Sequence, residues 1–129
     1  MEPLIDERDV VQRQVDAYNA HDLDGFVATY ATDVVVVDLD GELGRGHDWL
    51  RATYGPMFAG GSPSATIVGR VAAAGWVVDE ESVIGGRRGD IHVLVAYRIA
   101  DGLIQEVRFF DRQPGSGPDR STDTESSPR

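Results

Sequence analysis

The chain has 129 residues, 41% of them hydrophobic, which is enough for one core and too little for a second globular unit. Against 12 Lys and Arg stand 22 Asp and Glu, a formal net charge of −10 that repels phosphate backbones and anionic membrane surfaces and argues against nucleic acid or membrane as partner. There is no cysteine, hence no disulfide framework and no thiolate zinc site. The opening Met-Glu-Pro-Leu-Ile-Asp-Glu lacks the basic and apolar regions of a signal peptide, so a cytoplasmic location is expected.

Val11, Val15 and Tyr18 recur at i, i+4 and i+7 and predict a first helix, with Asp6 as its N-cap. The stripe breaks at Asn19-Ala20-His21-Asp22, where Asp22 can cap a second, short helix through Leu23, Phe26, Val27 and Tyr30, so that the first 31 residues read as a helical hairpin. Residues 33 to 39 are β-branched almost throughout and predict a strand, turned back at Asp40-Gly41. Helical spacing returns over 46 to 59, where Trp49, Leu50, Thr53, Tyr54 and Met57 fall near one face and Gly55-Pro56 is expected to kink or end the helix early. Four alternating segments follow, 64 to 73, 75 to 84, 91 to 99 and 103 to 111, joined by hairpin turns at Ala74-Gly75, Gly85 to Gly89 and Asp101-Gly102.

Residues 113 to 129 are rich in Pro, Ser, Gly and Asp with almost nothing to bury, and are expected to be a disordered tail to a domain of residues 1 to 112. The order of elements predicts an α+β fold, three helices from the N-terminal half covering one face of a curved antiparallel sheet, with room for a pocket between.

The stretch Val10 to Phe26, the strand Val34 to Asp38, Gly46-His47-Asp48, Tyr97-Arg98-Ile99 and Asp101-Gly102-Leu103-Ile104 resemble the ketosteroid-isomerase-like and SnoaL-like proteins of the nuclear-transport-factor-2-like superfamily, over residues 8 to 111. That resemblance implies a cystatin-like, half-open cone holding a small, largely apolar ligand. It spans isomerases, cyclases, epoxide hydrolases, dehydratases and non-catalytic binding domains alike. The isomerase pattern puts its proton-shuttling aspartate at Asp38 and a pocket tyrosine at Tyr54. Where that pattern has its two oxyanion donors this chain has Gln14 and Val95, which argues against efficient ketosteroid isomerisation.

The residues can also be read without the family. Asp38 shares a strand face with Val34 and Val36; it is either a base at the end of an apolar wall or a strand-end aspartate bonded into the Asp40-Gly41 turn. Gln14 is an amide inside a buried stripe, whose partner is a ligand, Asp38 or a backbone carbonyl. On strand 91 to 99 the apolar set Ile91, Val93, Val95, Tyr97 and Ile99 faces the cone, and His92, Leu94, Ala96 and Arg98 face outward and offer a homodimer surface. Gln14, Tyr18, Tyr54, Phe58, Val95, Tyr97 and Phe109 are the expected ligand-binding set and Asp38 the expected catalytic residue. Asp111 is the second-choice carboxylate, with a solvated strand end the preferred reading. Alternation leaves open whether Glu80 or Glu81 points inward. The scattered His21, His47 and His92 have no metal-ligand spacing, so no metal and no cofactor is expected. Two functions compete: a cofactor-independent isomerase, cyclase or dehydratase, and a binding or dimerising module without chemistry.

Overall fold

The structure, a computed structural model, describes residues 6–61, 63–86 and 89–114, the side chains of 111–114 excepted. Helix α1 (Glu7–Ala20) starts where expected: the Asp6 carboxylate accepts from the Arg8 amide at 2.9 Å, and Val10, Val11, Gln14, Val15 and Tyr18 form its buried stripe. It ends on His21 in the left-handed conformation at φ 57°. Asp22 follows at once and caps α2 (Leu23–Ala28) by accepting from the Gly25 amide at 3.0 Å.

Helix α2 stops short of the Tyr30 that its sequence stripe includes. The Thr29 hydroxyl donates to the Phe26 carbonyl at 2.7 Å, and the Thr29 carbonyl accepts from the Ile104 amide at 2.9 Å, so pairing with the last strand draws Tyr30 into β1 (Tyr30–Asp38). Local helix propensity loses here to sheet formation. Strand β1 turns into β2 (Gly41–Arg45), which leads into α3 (Gly46–Gly60).

Helix α3 runs past Gly55-Pro56 to a left-handed Gly61, longer than its sequence predicts. An interior proline costs about 3 kcal/mol. Offsetting that, the next turn delivers Phe58 into ring contacts with Tyr18 at 5.5 Å and Phe26 at 5.3 Å. Burying such a side chain is worth about 1.5–3 kcal/mol, and each ring pair adds about 0.5–1.5 kcal/mol.

Strands β3 (Ser64–Ala73), β4 (Trp76–Gly86), β5 (Gly89–Ala100) and β6 (Leu103–Pro114) join the first two in one six-stranded sheet of order β2-β1-β6-β5-β4-β3. The β3–β4 and β5–β6 turns carry left-handed pairs, Ala74-Gly75 and Asp101-Gly102, as two-residue hairpins require. In one respect the expected antiparallel sheet is corrected: β1 lies parallel to β6, with Val36 opposite Val107, so the sheet is mixed. Alternation sorts side chains into two faces and is silent on strand direction. The β6 backbone continues to Pro114, opposite Ile91, two residues beyond the expected end of the folded part. Residues 115–129 of the expected disordered tail lie outside the described residues.

The edges are β2 and β3, so the curved sheet does not close on itself. The helices cover one face, where Val34, Val36, Val77, Val83, Val93 and Val107 are buried. Asn19 pins α1 along β3, donating to the Ala65 carbonyl at 2.9 Å and accepting from its amide at 2.7 Å. Among the described residues no helix is long and apolar enough to cross a membrane.

Candidate functional site

On the helical side of the interior, α1, α2 and α3 converge in an aromatic cluster. Tyr18 meets Tyr54 edge-on at 6.3 Å, and Phe26 lies 4.7 Å from Tyr54 and 5.0 Å from Tyr30. Tyr18, Tyr54 and Phe58, three of the expected lining residues, are therefore brought together and are all buried. Gln14 is fully buried beside them. Its Nε2 donates to the Tyr30 hydroxyl at 2.9 Å, while its Oε1 has no hydrogen-bond partner among the described residues. Tyr30 is the partner that sequence reasoning missed, having placed it on a helix rather than at the start of β1.

On the sheet side, Val95, Tyr97 and Phe109 lie on the inner face and are buried, with Val95 opposite both Asp79 and Phe109. The same register settles the choice between the two glutamates. Glu81 stands opposite the inward Val93 and is fully buried, accepting from the Tyr97 hydroxyl at 2.9 Å. Glu80 faces outward, 2.7 Å from His92 Nε2.

A bulge places two further charges inside. Ile67 pairs with Glu81 and Gly69 with Glu80, so Val68 is an extra residue, and the shift turns Arg70 inward opposite Asp79. Arg70 Nε and Nη2 donate to the two Asp79 oxygens at 2.6 and 2.8 Å, a two-pronged match of guanidinium and carboxylate, and Nη1 reaches Gln12 Oε1 on α1 at 2.8 Å. The Asp79 side chain is 0% exposed and that of Arg70 16%. Hydrogen bonding to Asp79 raises the arginine's pKa above its ordinary value, against burial, with the Asp79 charge and then Tyr97 and Glu81 adding to the rise. This arginine therefore stays charged across the physiological pH range. An isolated glycine within a strand, here Gly69, is the sequence signal that could have revealed the bulge and with it the pair.

Asp38, at the end of β1, continues the alternation of the buried Val34 and Val36 and is half-buried. Its Oδ1 accepts from the Asp40 amide at 2.8 Å, the turn contact that formed the second of its two readings. His21 Nε2 lies 2.7 Å from the Pro63 carbonyl and His47 Nε2 2.8 Å from the Tyr30 carbonyl, at a helix end and a first helical turn respectively. Among the described residues no three His, Asp or Glu side chains are grouped to hold a metal ion. The Asp111 side chain lies outside the described residues. A separate open groove of about 520 Å³ runs between α1 and α2, lined by Arg13, Asp16, Ala20 and Asp22 among others, and none of the expected site residues borders it.

Three helices on one face of a curved, unclosed sheet, with buried polar groups between the layers, define an α+β fold of the cystatin-like kind. The model of the SnoaL-like domain family matches residues 11–107, and the chain belongs to that family. Among curated proteins none matches. Among solved structures the chain is similar to a cystatin-fold protein from Novosphingobium aromaticivorans, at 21% identity and TM-score 0.73, over 82% of this chain and 98% of that one. It is also similar to a candidate ketosteroid isomerase from Kribbella flavida, at 21% identity and TM-score 0.69, over 95% of this chain and 90% of that one. A candidate polyketide cyclase from Sinorhizobium meliloti aligns at 19% identity and TM-score 0.63, over 81% and 99% of the two chains. Likeness at this level of identity shows the fold alone.

Proposed function

We propose that this SnoaL-like domain holds a small, largely apolar molecule between its helices and the inner sheet face and moves a proton on it without a cofactor, as an isomerase, cyclase or dehydratase, with Asp38 as base. The observation that carries this reading is the position of Asp38. It is the carboxylate of the expected set, and it is half-buried at the end of the Val34 and Val36 wall, where desolvation strengthens a carboxylate as a base. The turn bond from the Asp40 amide orients it. Neither Gln14 nor Val95 offers the acidic donor that an enolate needs, so the reaction is one that develops little negative charge, and efficient ketosteroid isomerisation is not expected.

The turn bond also favours a second reading, carriage of the same ligand without turnover. Kemp elimination of 5-nitrobenzisoxazole, in which a base takes the ring C–H proton as the N–O bond breaks and the charge spreads over the nitrophenolate product, needs no oxyanion donor and separates the two. Catalysis predicts a rate that Asp38→Asn lowers by about 10²–10⁴-fold with binding retained. Binding without acceleration in either protein supports carriage alone, acceleration that survives in Asp38→Asn rules out Asp38 as the base, and rapid isomerisation of a 5-ene-3-ketosteroid by the wild type refutes the claim about isomerase activity.

We also propose that a second copy of the chain covers the outer sheet face. Leu94, Phe110, Ile84 and Val71 are exposed there. Although the chain carries −10 overall, this face holds its own countercharges, with Arg98 and Arg108 both against Glu106 and His92 against Glu80, so two copies can meet on it without strong repulsion.

A further inference from the structure

The polar groups of the interior are unequally spent. Each donor for which a bond has been described is committed: Tyr97 to Glu81, Arg70 to Asp79 and Gln12, and Gln14 Nε2 to Tyr30. Among the acceptors, Gln14 Oε1 is fully buried in the stripe of α1 and has no partner among the described residues. A buried acceptor left unmade costs the full desolvation of that oxygen, so a molecule that brings a donor to it gains more than the same bond gains at a surface. A ligand offering only an ether or carbonyl oxygen gains nothing there and sets two lone-pair-bearing atoms against each other.

We propose that Gln14 selects the ligand by accepting a hydrogen bond through Oε1, so that the molecule taken by the cone is an apolar alcohol, enol or phenol rather than a simple ketone or ether. This rests on the cone being the ligand site. It reverses the role that the resemblance implies for this position, because the bond to Tyr30 uses the donor end of the amide and leaves the acceptor end unmatched among the described residues. Binding energy at such a site comes from the apolar skeleton, and discrimination comes from the single polar contact.

The test compares three probes of one shape, 2-naphthol, 2-methoxynaphthalene and naphthalene, titrated calorimetrically into wild type, Gln14→Leu and Gln14→Met. The wild type is expected to bind 2-naphthol about fivefold more tightly than the methyl ether, and both variants to bind the two within about twofold of each other. Equal affinities in the wild type, or a preference that survives in both variants, overturn the assignment and leave the cone reading standing. If none of the three binds up to its solubility limit, the cone reading falls and the assignment falls with it. Without ligand, both variants lose the Gln14–Tyr30 bond and are expected to melt slightly lower than wild type while staying folded, so the comparison is made between probes within each protein.

Discussion

Tyr97 and Glu81, on neighbouring strands of the inner sheet face, are joined by a 2.9 Å hydrogen bond with both side chains fully buried. The carboxylate stands opposite Val93 and the tyrosine opposite Val77, so the bond crosses diagonally over the Asp79–Val95 pair that lies between them. Behind the Asp79 hydrogen bond, which does most to raise the pKa of Arg70, the charge of Glu81 adds the smallest contribution.

Tyr97→Phe is therefore expected to destabilise the fold by about 1–3 kcal/mol, since it takes a donor from a buried carboxylate without opening a large cavity. Urea unfolding measures this. Superimposable curves would mean that the tyrosine does not hold Glu81.

Arg70→Met leaves the fully buried Asp79 without its charge partner and is expected to cost about 3–5 kcal/mol. The double variant with Asp79→Leu should recover most of that loss, because removing both charges also removes their desolvation. A double variant as unstable as the single one would contradict the pairing as the source of the effect.

Gly44 lies under the indole of Trp49, in the space that a Cβ on residue 44 would enter. Gly44→Ala is expected to cost about 1–3 kcal/mol through overpacking. It should also shift the emission of Trp49, read in a Trp76→Phe background so that one indole reports. Unchanged emission and stability would show that the hairpin moves aside freely.

For the outer face, light scattering at micromolar concentration is expected to give twice the chain mass for the wild type and a monomer for Leu94→Glu combined with Phe110→Glu. Both residues are already exposed, at 41% and 37%, so the substitutions should leave the fold intact. A monomeric wild type would remove the proposal.

How much of this was legible in the sequence depended on what kind of signal each feature leaves. The buried stripe of α1, both aspartate caps and the two tight hairpins follow from side-chain period and turn chemistry, which act over a few residues, and all are found. Tyr30 was placed on the wrong element because its neighbourhood reads as helix until Ile104 pairs with Thr29 from the far end of the chain. Glu80 and Glu81 alternate equally well with apolar neighbours, so only the partner strand's register separates them. The inward turn of Arg70 depends on one inserted residue, Val68, which reverses the parity of everything after it. The residues expected to bind a ligand are all buried, but the bonds that Gln14 and Tyr97 make join residues distant in sequence and leave no periodic trace.

The parallel pairing of β1 with β6 sets the order in which the molecule can assemble. Residue 30 finds its strand partner only at residue 104, and β1 occupies an interior position in the sheet between β2 and β6. As the chain leaves the ribosome, the helices and the first hairpin emerge long before the strand that covers the free side of β1. Until then an unpaired, valine-rich edge is exposed to other nascent chains. Such non-local closure slows folding relative to a meander of the same length, and it places the rate-limiting event near the C-terminal end of the sheet. Variants that weaken β6 should therefore slow refolding and raise aggregation out of proportion to their effect on the stability of the finished protein.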